Sequence, residues 1–568
     1  MAKHKEPIAG THSLRRILKV LRLDRREISS IYFFAILSGL IQLSLPLGIQ
    51  SIISFVLGGS ISTSLVILII MVVAGVFFNG LVQVNQMKII EKVEQKLFVR
   101  YSFEYAHRIP HLDLRSVDQY YLPEMVNRFF DTVTLQKGIA KLLLDIPTAT
   151  LQILFGLILL SFYHPVFIAF GIILVLLVWV IIYYSGPRGL ATSIRESDYK
   201  YRVAGWLEEL ARVIWSFKFS RGTQLNLRRT DTLVEGYLDS RSSHFRILLL
   251  QYWTLIGFKV LITAAMLIVG SLLLIDQELN LGQFISAEIV ILLVIGSVER
   301  LIINLTTVYD VLTSVEKLEK ISDKPMEKEG DLRMERQPRG MKVQLDHLHF
   351  GYGEGLVLKD ITFTIPPGSK VSVMGPDGSG KSTLVRLLSG VYSDYEGSLR
   401  VDDISLHEYR LDEYREQTGI LLNRFEIFRG TLLENITMGN DGLSPREISA
   451  FAERLGLAEW AEGNGPGFSD ELDPLGNRLP ASAVHKILLL RALVNNPRLL
   501  LLEEPLAQLD EPTRTRVRDH LLASKPGTTV FVESNDEEFA RHCDIVLYFE
   551  KGRLRHAGPW APNLKNGN

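Results

Sequence analysis

Long apolar stretches alternate with charged stretches in the first half of the chain. Six of the apolar stretches reach the ~20 residues that a helix needs to cross the hydrocarbon core of a membrane. They cover residues 31–57, 65–84, 142–163, 166–184, 247–275 and 281–305. Short connections join them in three pairs, whereas the connections 85–141 and 185–246 are long and charged. The pattern predicts three helical hairpins whose helices extend well beyond the membrane on one side.

The charge distribution predicts an orientation. In residues 1–28, Leu14, Ile17, Leu18 and Leu21 recur at helical spacing among basic residues. This is typical of an amphipathic helix on a membrane surface, although a solvated helix packed on protein fits the same pattern. By the positive-inside rule, both termini and both long connections lie in the cytoplasm. We expect a multi-pass protein of the inner cell membrane, surrounded by membrane lipid.

Three charged residues fall within the predicted spans. At ~1.5 Å per residue, Lys259 and Glu299 lie ~24 and ~27 Å from the outer ends of their helices, and Glu288 lies ~10 Å from its end. Charges within spans tend to pair with each other or to face a cavity. The matched depth of Lys259 and Glu299 indicates an ion pair. A contact with a transported substrate, and a position of Glu299 at the inner membrane surface, stay open.

The pattern changes after the last span. Residues 321–340 are polar and contain two prolines, which indicates a linker. Beyond them, apolar runs such as 371–374, 499–502 and 529–532 alternate with helical stretches, which is typical of an α/β domain. We divide the chain into an N-terminal elbow helix, a six-helix transmembrane domain, a linker and a nucleotide-binding domain, with the bounds 1–28, 29–320, 321–340 and 341–568.

The composition excludes some classes of partner and of covalent cross-link. The 568 residues carry 62 basic and 63 acidic side chains, for a net charge of -1. Because nucleic-acid binders normally show a basic excess, we expect no nucleic acid as partner. The single cysteine, Cys543, excludes an intramolecular disulfide and is typical of a buried structural thiol. The histidines show no metal-ligand spacing.

A phosphate-binding loop follows the run 371–374. Its residues match the pattern G-x-x-x-x-G-K-[ST] between a strand and a helical stretch, as this motif requires. They are Gly375, Pro376, Asp377, Gly378, Ser379, Gly380, Lys381 and Ser382, and we add Thr383 to the set. Backbone N–H groups surround phosphate oxygens in such a loop, the lysine meets the outer phosphates, and the Ser382 hydroxyl suits Mg²⁺. The motif predicts binding of a nucleotide together with Mg²⁺.

Two carboxylates follow the run 499–502. We expect Glu503 to join the Mg²⁺ shell and Glu504 to polarise a water molecule. Apolar strands often end in acids, so this signal is weak alone. Its distance along the chain from the phosphate loop allows the two motifs to share one sheet.

Six predicted spans followed by this nucleotide-binding half resemble an ATP-binding cassette (ABC) exporter, specifically a half-transporter that works as a dimer. The resemblance covers nearly the whole chain and is closest in style to exporters of toxins and peptides. Tyr352 resembles the aromatic that stacks on adenine, Leu509 and Asp510 resemble the D-loop, and the segments 122–129 and 208–215 resemble the two coupling helices. The resemblance implies an α-helical six-span transmembrane domain, an α/β P-loop nucleotide-binding domain, and ATP with Mg²⁺ as cofactors.

Four positions depart from the family pattern. Asn423 replaces the Q-loop glutamine, Glu503 the Walker B aspartate and Asn535 the switch histidine, and the signature Leu-Ser-Gly-Gly-Gln reads Leu-Pro-Ala-Ser-Ala at 479–483. By resemblance, Asn423 and Asn535 lie near the nucleotide, and Asn423 also lies near the metal with Ser382 and Glu503.

These departures weaken some functions of the site and leave others intact. Pro480 removes a hydroxyl and a backbone N–H that would face the γ-phosphate. Asn535 can donate a hydrogen bond but cannot carry a proton. Glu504, the catalytic base that the resemblance implies, is retained. We expect intact nucleotide binding and slow hydrolysis.

Two functions compete. The first is ATP-driven export of a peptide, protein, lipid or drug-like substrate. The second is an ATP-binding membrane subunit that regulates and does not hydrolyse. The retained coupling-helix segments and Glu504 favour export. Neither the substrate nor the use of a periplasmic adaptor follows from the sequence.

The resemblance also bears on the dimer. In this family, each ATP lies between the Walker motifs of one chain and the signature of the other. This chain departs from the family pattern on both sides of that sandwich, at Asn535 on the Walker side and at 479–483 in the signature. Pairing with an intact partner would therefore impair both nucleotide sites, so we expect a homodimer, and a heterodimer stays open.

Overall fold

The computed structural model describes residues 17, 22, 24–58, 63–118, 120–353, 355–423, 426–440, 442–458, 467–476, 478–523 and 527–562. The chain divides into two compact units, Met1–Pro110 with Gln119–Lys324 and His111–Asp118 with Pro325–Asn568. The predicted amphipathic helix of residues 1–28 lies largely outside the described residues, and so do its Leu14, Leu18 and Leu21.

The described part of the first unit is helical. In chain order, the helices up to residue 322 are α1 (Arg25–Gln42), α2 (Ser44–Leu57), α3 (Thr63–Arg108), α4 (Leu114–Val117, in the second unit), α5 (Leu122–Asn127), α6 (Asp131–Tyr163), α7 (Val166–Arg212), α8 (Ile214–Lys218), α9 (Leu225–Ile275) and α10 (Leu281–Ser322). Six helical segments among the described residues are long and apolar enough to cross a membrane. All six predicted spans lie within them.

The helices are longer than a membrane is thick. Helix α3 has 46 residues, which is roughly 70 Å at ~1.5 Å per residue, whereas the hydrocarbon core measures ~30 Å. Helices α7 and α9, with 47 and 51 residues, are longer still. This confirms the prediction that helices continue well beyond the membrane.

The prolines in the spans have different effects. Helix α1 ends at Gln42 and α2 begins at Ser44. Pro46 explains this position, because it has no N–H to donate to the carbonyl of Gln42, four residues earlier. By contrast, α6 continues without interruption through Pro147.

Of the two segments that resemble coupling helices, only the first forms a short helix over most of its length. The first, 122–129, forms α5 and continues into a 3-10 turn, Arg128–Phe130. The second, 208–215, is not one helix, because its backbone leaves the helical conformation at Val213 (φ −107°, ψ 34°) between α7 and α8. The short helix therefore begins at Ile214, near the end of the predicted segment.

Small residues allow two spans to approach closely. Helix α10 packs chiefly along α6. A Cβ atom at Gly138 would lie 2.3 Å from Val311 Cγ2, and one at Gly156 would lie 2.6 Å from Val294 Cγ2. Both glycines of α6 are therefore required by the contact, as is common between membrane helices.

The described part of the second unit is an α/β domain with three sheets. Its strands are β1 (Val343–Phe350), β2 (Leu358–Ile365), β3 (Lys370–Met374), β4 (Glu396–Val401), β5 (Ile404–Ser405), β6 (Thr418–Leu421), β7 (Gly430–Thr431), β8 (Glu471–Leu472), β9 (Leu499–Glu503), β10 (Thr529–Glu533), β11 (Ile545–Glu550) and β12 (Arg553–Gly558). The largest sheet has the order β12-β11-β3-β10-β9-β6, and another has the order β2-β1-β4-β5. The third pairs β7 with β8.

Helices cover these sheets. They are α11 (Lys381–Leu388), α12 (Leu411–Glu416), α13 (Leu432–Thr437), α14 (Pro445–Leu455), α15 (Ala481–Leu493), α16 (Glu511–Ala523) and α17 (Glu537–Arg541). The segment His111–Asp118 joins this unit, where the Asp113 N–H donates to the Pro325 carbonyl at 3.0 Å.

The three strands predicted from the sequence are neighbours in the large sheet. Strand β10 lies between β3 and β9 and is parallel to both. Every residue of the three strands is buried, as expected of inner strands of a parallel sheet. Their carboxyl ends meet at one edge, which is where ligands bind in open α/β sheets.

Candidate functional site

The loop between β3 and α11 requires glycine at defined positions. Gly375 has φ +143°, and a Cβ atom there would lie 2.1 Å from the Phe549 carbonyl oxygen. Gly380, with φ +103°, is the N-cap of α11. A Cβ atom at Gly378 would meet nothing within 4 Å, so this side of the loop is open. The loop leaves an open concave face at the N-terminus of a helix, where anions are stabilised.

Lys381 lies inside this loop. Its side chain is buried, and its ammonium donates to the carbonyls of Gly375 at 2.8 Å and Pro376 at 3.0 Å. Asp377 is exposed at the tip, and the buried Ser379 hydroxyl has no hydrogen-bond partner among the described residues. The structure therefore places one cation and one unused hydroxyl in the predicted phosphate loop.

Glu503 ends strand β9 and is fully buried. Its Oε2 accepts a hydrogen bond from the Asn423 backbone N–H at 2.9 Å. Its Oε1 lies 3.5 Å from Nε of Arg386 on α11. The Asn423 side chain is exposed. The structure thus brings Asn423 to Glu503 through its backbone, and Glu503 connects this segment to α11.

Glu504 leaves the strand in a strained conformation. Its φ is +47°, in the left-handed region that non-glycine residues rarely occupy. Its N–H donates to the Glu533 carbonyl at 2.9 Å. Burial raises the pKa of the Glu504 carboxyl, while the Lys381 ammonium opposes this shift. Such strain is common at functional sites, where the surrounding structure holds it.

Glu533 also belongs to this cluster, although the sequence analysis did not select it. It ends β10 in register with Glu503, and its Oε1 accepts a hydrogen bond from the Ser382 hydroxyl at 2.8 Å. Burial, opposed by the Ser382 hydrogen bond and reinforced by Glu503, raises the pKa of Glu533 to about 7. The available signal was an acid that ends an apolar run, the same signal that selected Glu503.

Asn535 and Tyr352 reach the loop from two sides. The Asn535 Oδ1 accepts a hydrogen bond from the Gly375 N–H at 3.2 Å. The Tyr352 hydroxyl donates to Thr383 Oγ1 at 3.3 Å, and its ring is half-exposed. Both side chains therefore lie at the phosphate loop.

The altered signature segment begins helix α15. Pro480 is the N-cap residue, and its carbonyl accepts from the Ala483 N–H at 2.9 Å. Serine, threonine, aspartate and asparagine normally supply a side-chain oxygen at this position. Proline has no such oxygen, so the helix starts without a side-chain cap.

A second polar cluster lies in the membrane-spanning helices. Lys259 of α9 and Glu299 of α10 form an ion pair at 2.5 Å, which confirms the predicted pairing. Gln152 of α6 accepts hydrogen bonds from Ser297 at 2.7 Å and from Arg300 at 2.5 Å. The sequence analysis missed this second group, because spacing along one helix does not show which polar residue of another helix it meets.

Two family models match the sequence. The model of the ABC transporter matches residues 358–507, which contain the phosphate loop and Glu503 with Glu504. The model of the ABC transporter transmembrane region matches residues 28–298. The chain belongs to the ABC transporters. Membership implies that the second unit of this ABC transporter binds ATP.

Relatives differ in how much of the chain they match. The uncharacterized ABC transporter ATP-binding protein YknV of Bacillus subtilis is 26% identical over 302 residues, 52% of this chain and 49% of that protein. The transport/processing ATP-binding protein ComA of Streptococcus pneumoniae is 24% identical over 581 residues, 99% of this chain and 78% of ComA. The ATP-dependent lipid A-core flippase of Coxiella burnetii is 28% identical over 280 residues, 49% of this chain and 47% of the flippase. The chain thus spans about half the length of two of these relatives.

A solved structure shares the fold. A bacterial Atm1-family ABC exporter with ATP bound superposes with a TM-score of 0.84 and 19% sequence identity, over 94% of this chain and 95% of that one. The likeness confirms the predicted fold class, a six-span helical domain followed by an α/β nucleotide-binding domain.

Proposed function

We propose that this ABC transporter is a half-transporter that dimerises and uses ATP to export a substrate across the inner membrane. The observation that supports this most is the complete phosphate loop, with Lys381 inside it and Glu504 beside it, in a chain that also has six spans. The names of matching proteins include a lipid A-core flippase and a β-(1→2)glucan exporter. One name concerns a lipid and the other a glucan, so they support export without selecting one class of substrate. The proposed substrate is a peptide, protein, lipid or drug-like molecule.

The residues at the loop suit ATP and Mg²⁺. Mg²⁺ prefers oxygen ligands, and the Ser382 hydroxyl, the Glu503 carboxylate and the Asn423 amide would supply them. Bound Mg²⁺ would neutralise the charge on the phosphates during transfer. Tyr352 has an exposed ring on which adenine would stack, and the loop from Gly375 to Thr383 would hold the phosphates.

The proposed chemistry requires one proton transfer. Glu504 would accept a proton from the attacking water, since a general base of raised pKa is better matched to neutral pH. Lys381 would stabilise negative charge on the phosphoryl oxygens. Asn535 would position the loop through Gly375 but could not carry a proton. We therefore propose that hydrolysis is slow.

The assembly is proposed as a homodimer. Because Asn535 and the segment 479–483 belong to opposite faces of the family's nucleotide sandwich, an intact partner would gain no fully active site by pairing with this chain. A heterodimer or a periplasmic adaptor would have to be detected by co-purification. We also propose the boundaries 1–28, 29–320, 321–340 and 341–568 for the elbow, transmembrane domain, linker and nucleotide-binding domain, with both termini in the cytoplasm.

ATP hydrolysis by the purified protein in lipid nanodiscs tests this proposal. We expect a dimer of one chain that hydrolyses ATP slowly and loses this activity when Glu504→Gln is introduced. Glu550→Gln is a matched control, because Glu550 ends strand β11 of the same sheet and pairs with Arg555 instead. Activity unaffected by Glu504→Gln would remove that residue from its role.

Binding without hydrolysis is the second candidate. Its support is that Lys381 and Ser382 both make internal hydrogen bonds and that Pro480 and Asn535 alter the family's γ-phosphate contacts. ATP binding with no hydrolysis in any lipid composition would favour this regulatory role over export.

A further inference from the structure

A third carboxylate lies beside the phosphate loop, in addition to Glu503 and Glu504. We propose that Glu533 is a positioning residue of the Mg²⁺-nucleotide site, which holds the Ser382 hydroxyl for the metal and makes nucleotide binding depend strongly on a divalent cation. This inference rests on the proposed binding of Mg²⁺ and ATP. It adds a residue for which the family pattern quoted above has no counterpart.

The hydrogen bond sets the orientation of the hydroxyl. A serine hydroxyl has one hydrogen to donate and two lone pairs. Ser382 donates its hydrogen to Glu533 Oε1 at 2.8 Å, so both lone pairs remain for a cation. A carboxylate that accepts a hydrogen bond from a metal ligand fixes the ligand's orientation and raises its basicity.

The position of Glu533 is fixed by the sheet. Its backbone lies between Val373 and Glu503 in the parallel ladder, and its carbonyl accepts from the Glu504 N–H. The residue is 5% exposed. Because the backbone is held by strands on both sides, the Glu533 side chain starts from a fixed position beside Ser382.

The cluster contains more acid than base. Among the described residues, the buried Glu533 Oε2 has no hydrogen-bond partner. The Lys381 ammonium donates to two loop carbonyls, and Arg386 lies against Glu503. A buried carboxylate is costly without a cation or a full set of hydrogen bonds. A divalent cation at Ser382 would offset this cost, whereas the phosphates of metal-free ATP would be repelled.

The test measures binding rather than turnover. The full-length protein in nanodiscs is titrated with a fluorescent ATP analogue at increasing Mg²⁺ or Mn²⁺, and with EDTA. In the wild type we expect weak binding in EDTA and strong binding with metal. Glu533→Gln retains an acceptor for Ser382 but removes the charge. Loss of such a supporting group costs about 10–100-fold in metal affinity. The metal midpoint, which is the metal concentration that gives half-maximal nucleotide binding, should therefore rise by that factor.

Metal-free binding should change in the opposite direction. Glu533→Gln should leave the affinity in EDTA unchanged or improve it, because one repelling charge is gone. The Mn²⁺ electron paramagnetic resonance spectrum of the bound nucleotide should also shift. Glu550→Gln, at the end of β11, should change neither readout. An unaltered metal midpoint in a folded Glu533→Gln protein would overturn the proposal.

Two further variants keep the test decisive. If Glu533→Gln does not fold, Glu533→Asp, whose carboxylate lies farther from Ser382, should raise the midpoint in the same direction. In a Ser382→Ala background, Glu533→Gln should raise the metal midpoint little further, because its partner is already gone. If the double variant showed the sum of the two separate losses in metal affinity, a role of Glu533 through Ser382 would be overturned. Failure of the proposed function is distinguishable, because the wild type would then bind no nucleotide with or without metal.

Discussion

Charged side chains meet in both units, but in different ways. In the membrane-spanning helices, Lys259 meets Glu299 at 2.5 Å, and the two charges balance. At the edge of the large sheet, the three carboxylates of Glu503, Glu504 and Glu533 are accompanied by two cations, the Lys381 ammonium and the Arg386 guanidinium, which lies against Glu503. One oxygen of Glu533 has no hydrogen bond among the described residues. A balanced pair needs nothing further, whereas an unbalanced acidic cluster is stabilised by a cation. The comparison therefore indicates that the Lys259–Glu299 pair is a structural contact and that the acidic cluster is a ligand site.

The largest effect is expected when the ion pair of Lys259 with Glu299 is broken. Lys259→Met strands the Glu299 carboxylate, which typically costs ~3–5 kcal/mol when a fully buried pair loses one partner. Because both side chains of this pair are about one-third exposed, we expect a cost at the lower end of that range. We expect a lower unfolding temperature in detergent, and partial recovery when Glu299→Gln is added. Strictly additive effects of the two substitutions would show that the side chains do not interact energetically. Glu288→Gln provides a control in the same span.

The next effect concerns the Lys381 ammonium of the unbalanced cluster. Lys381→Ala removes the ammonium from the phosphate loop, and a hydrogen bond to a charged group is worth ~1.5–3 kcal/mol. We expect binding of a fluorescent ATP analogue to be lost at micromolar protein. Lys342→Ala, which removes an ammonium paired with Asp403, is the control. Unchanged affinity in Lys381→Ala would contradict the assignment of the loop.

A smaller effect is expected at the switch position. Asn535→His would supply a group that can carry a proton where asparagine cannot. If this function limits hydrolysis, the steady-state ATPase rate should rise about tenfold, equivalent to ~1.4 kcal/mol. Asn535→Ala controls for loss of the hydrogen bond to Gly375. A rate that falls equally in both variants would show that the amide serves only to hold the loop.

The smallest effect is expected at the start of α15. Pro480→Ser would restore a hydroxyl at an N-cap that now lacks one, which is worth ~1 kcal/mol of stability. We expect a slightly higher unfolding temperature of the second unit by calorimetry. Pro480→Ala, without a hydroxyl, should show no such gain. Equal stabilities of the serine and alanine variants would show that the cap is not formed.

The spans and the loop could be predicted because their signals are local. A stretch of apolar residues long enough to cross a membrane needs no information from the rest of the chain. The loop from Gly375 to Ser382 is contiguous, and its motif includes its own strand and helix. The ion pair of Lys259 with Glu299 could be predicted because helix geometry converts sequence position into depth.

The sequence by itself therefore determined the six spans, the α/β pattern and the phosphate loop. Only the tertiary structure decided that Glu533 meets Ser382, 151 residues away along the chain, and that Gln152 meets Arg300 across two helices. The physical reason is that periodicity defines which face of an element is apolar, but not which element packs beside it. Insertion of β10 between β3 and β9 in one register brings the Glu533 carboxylate to the loop, and that register depends on packing of the whole sheet.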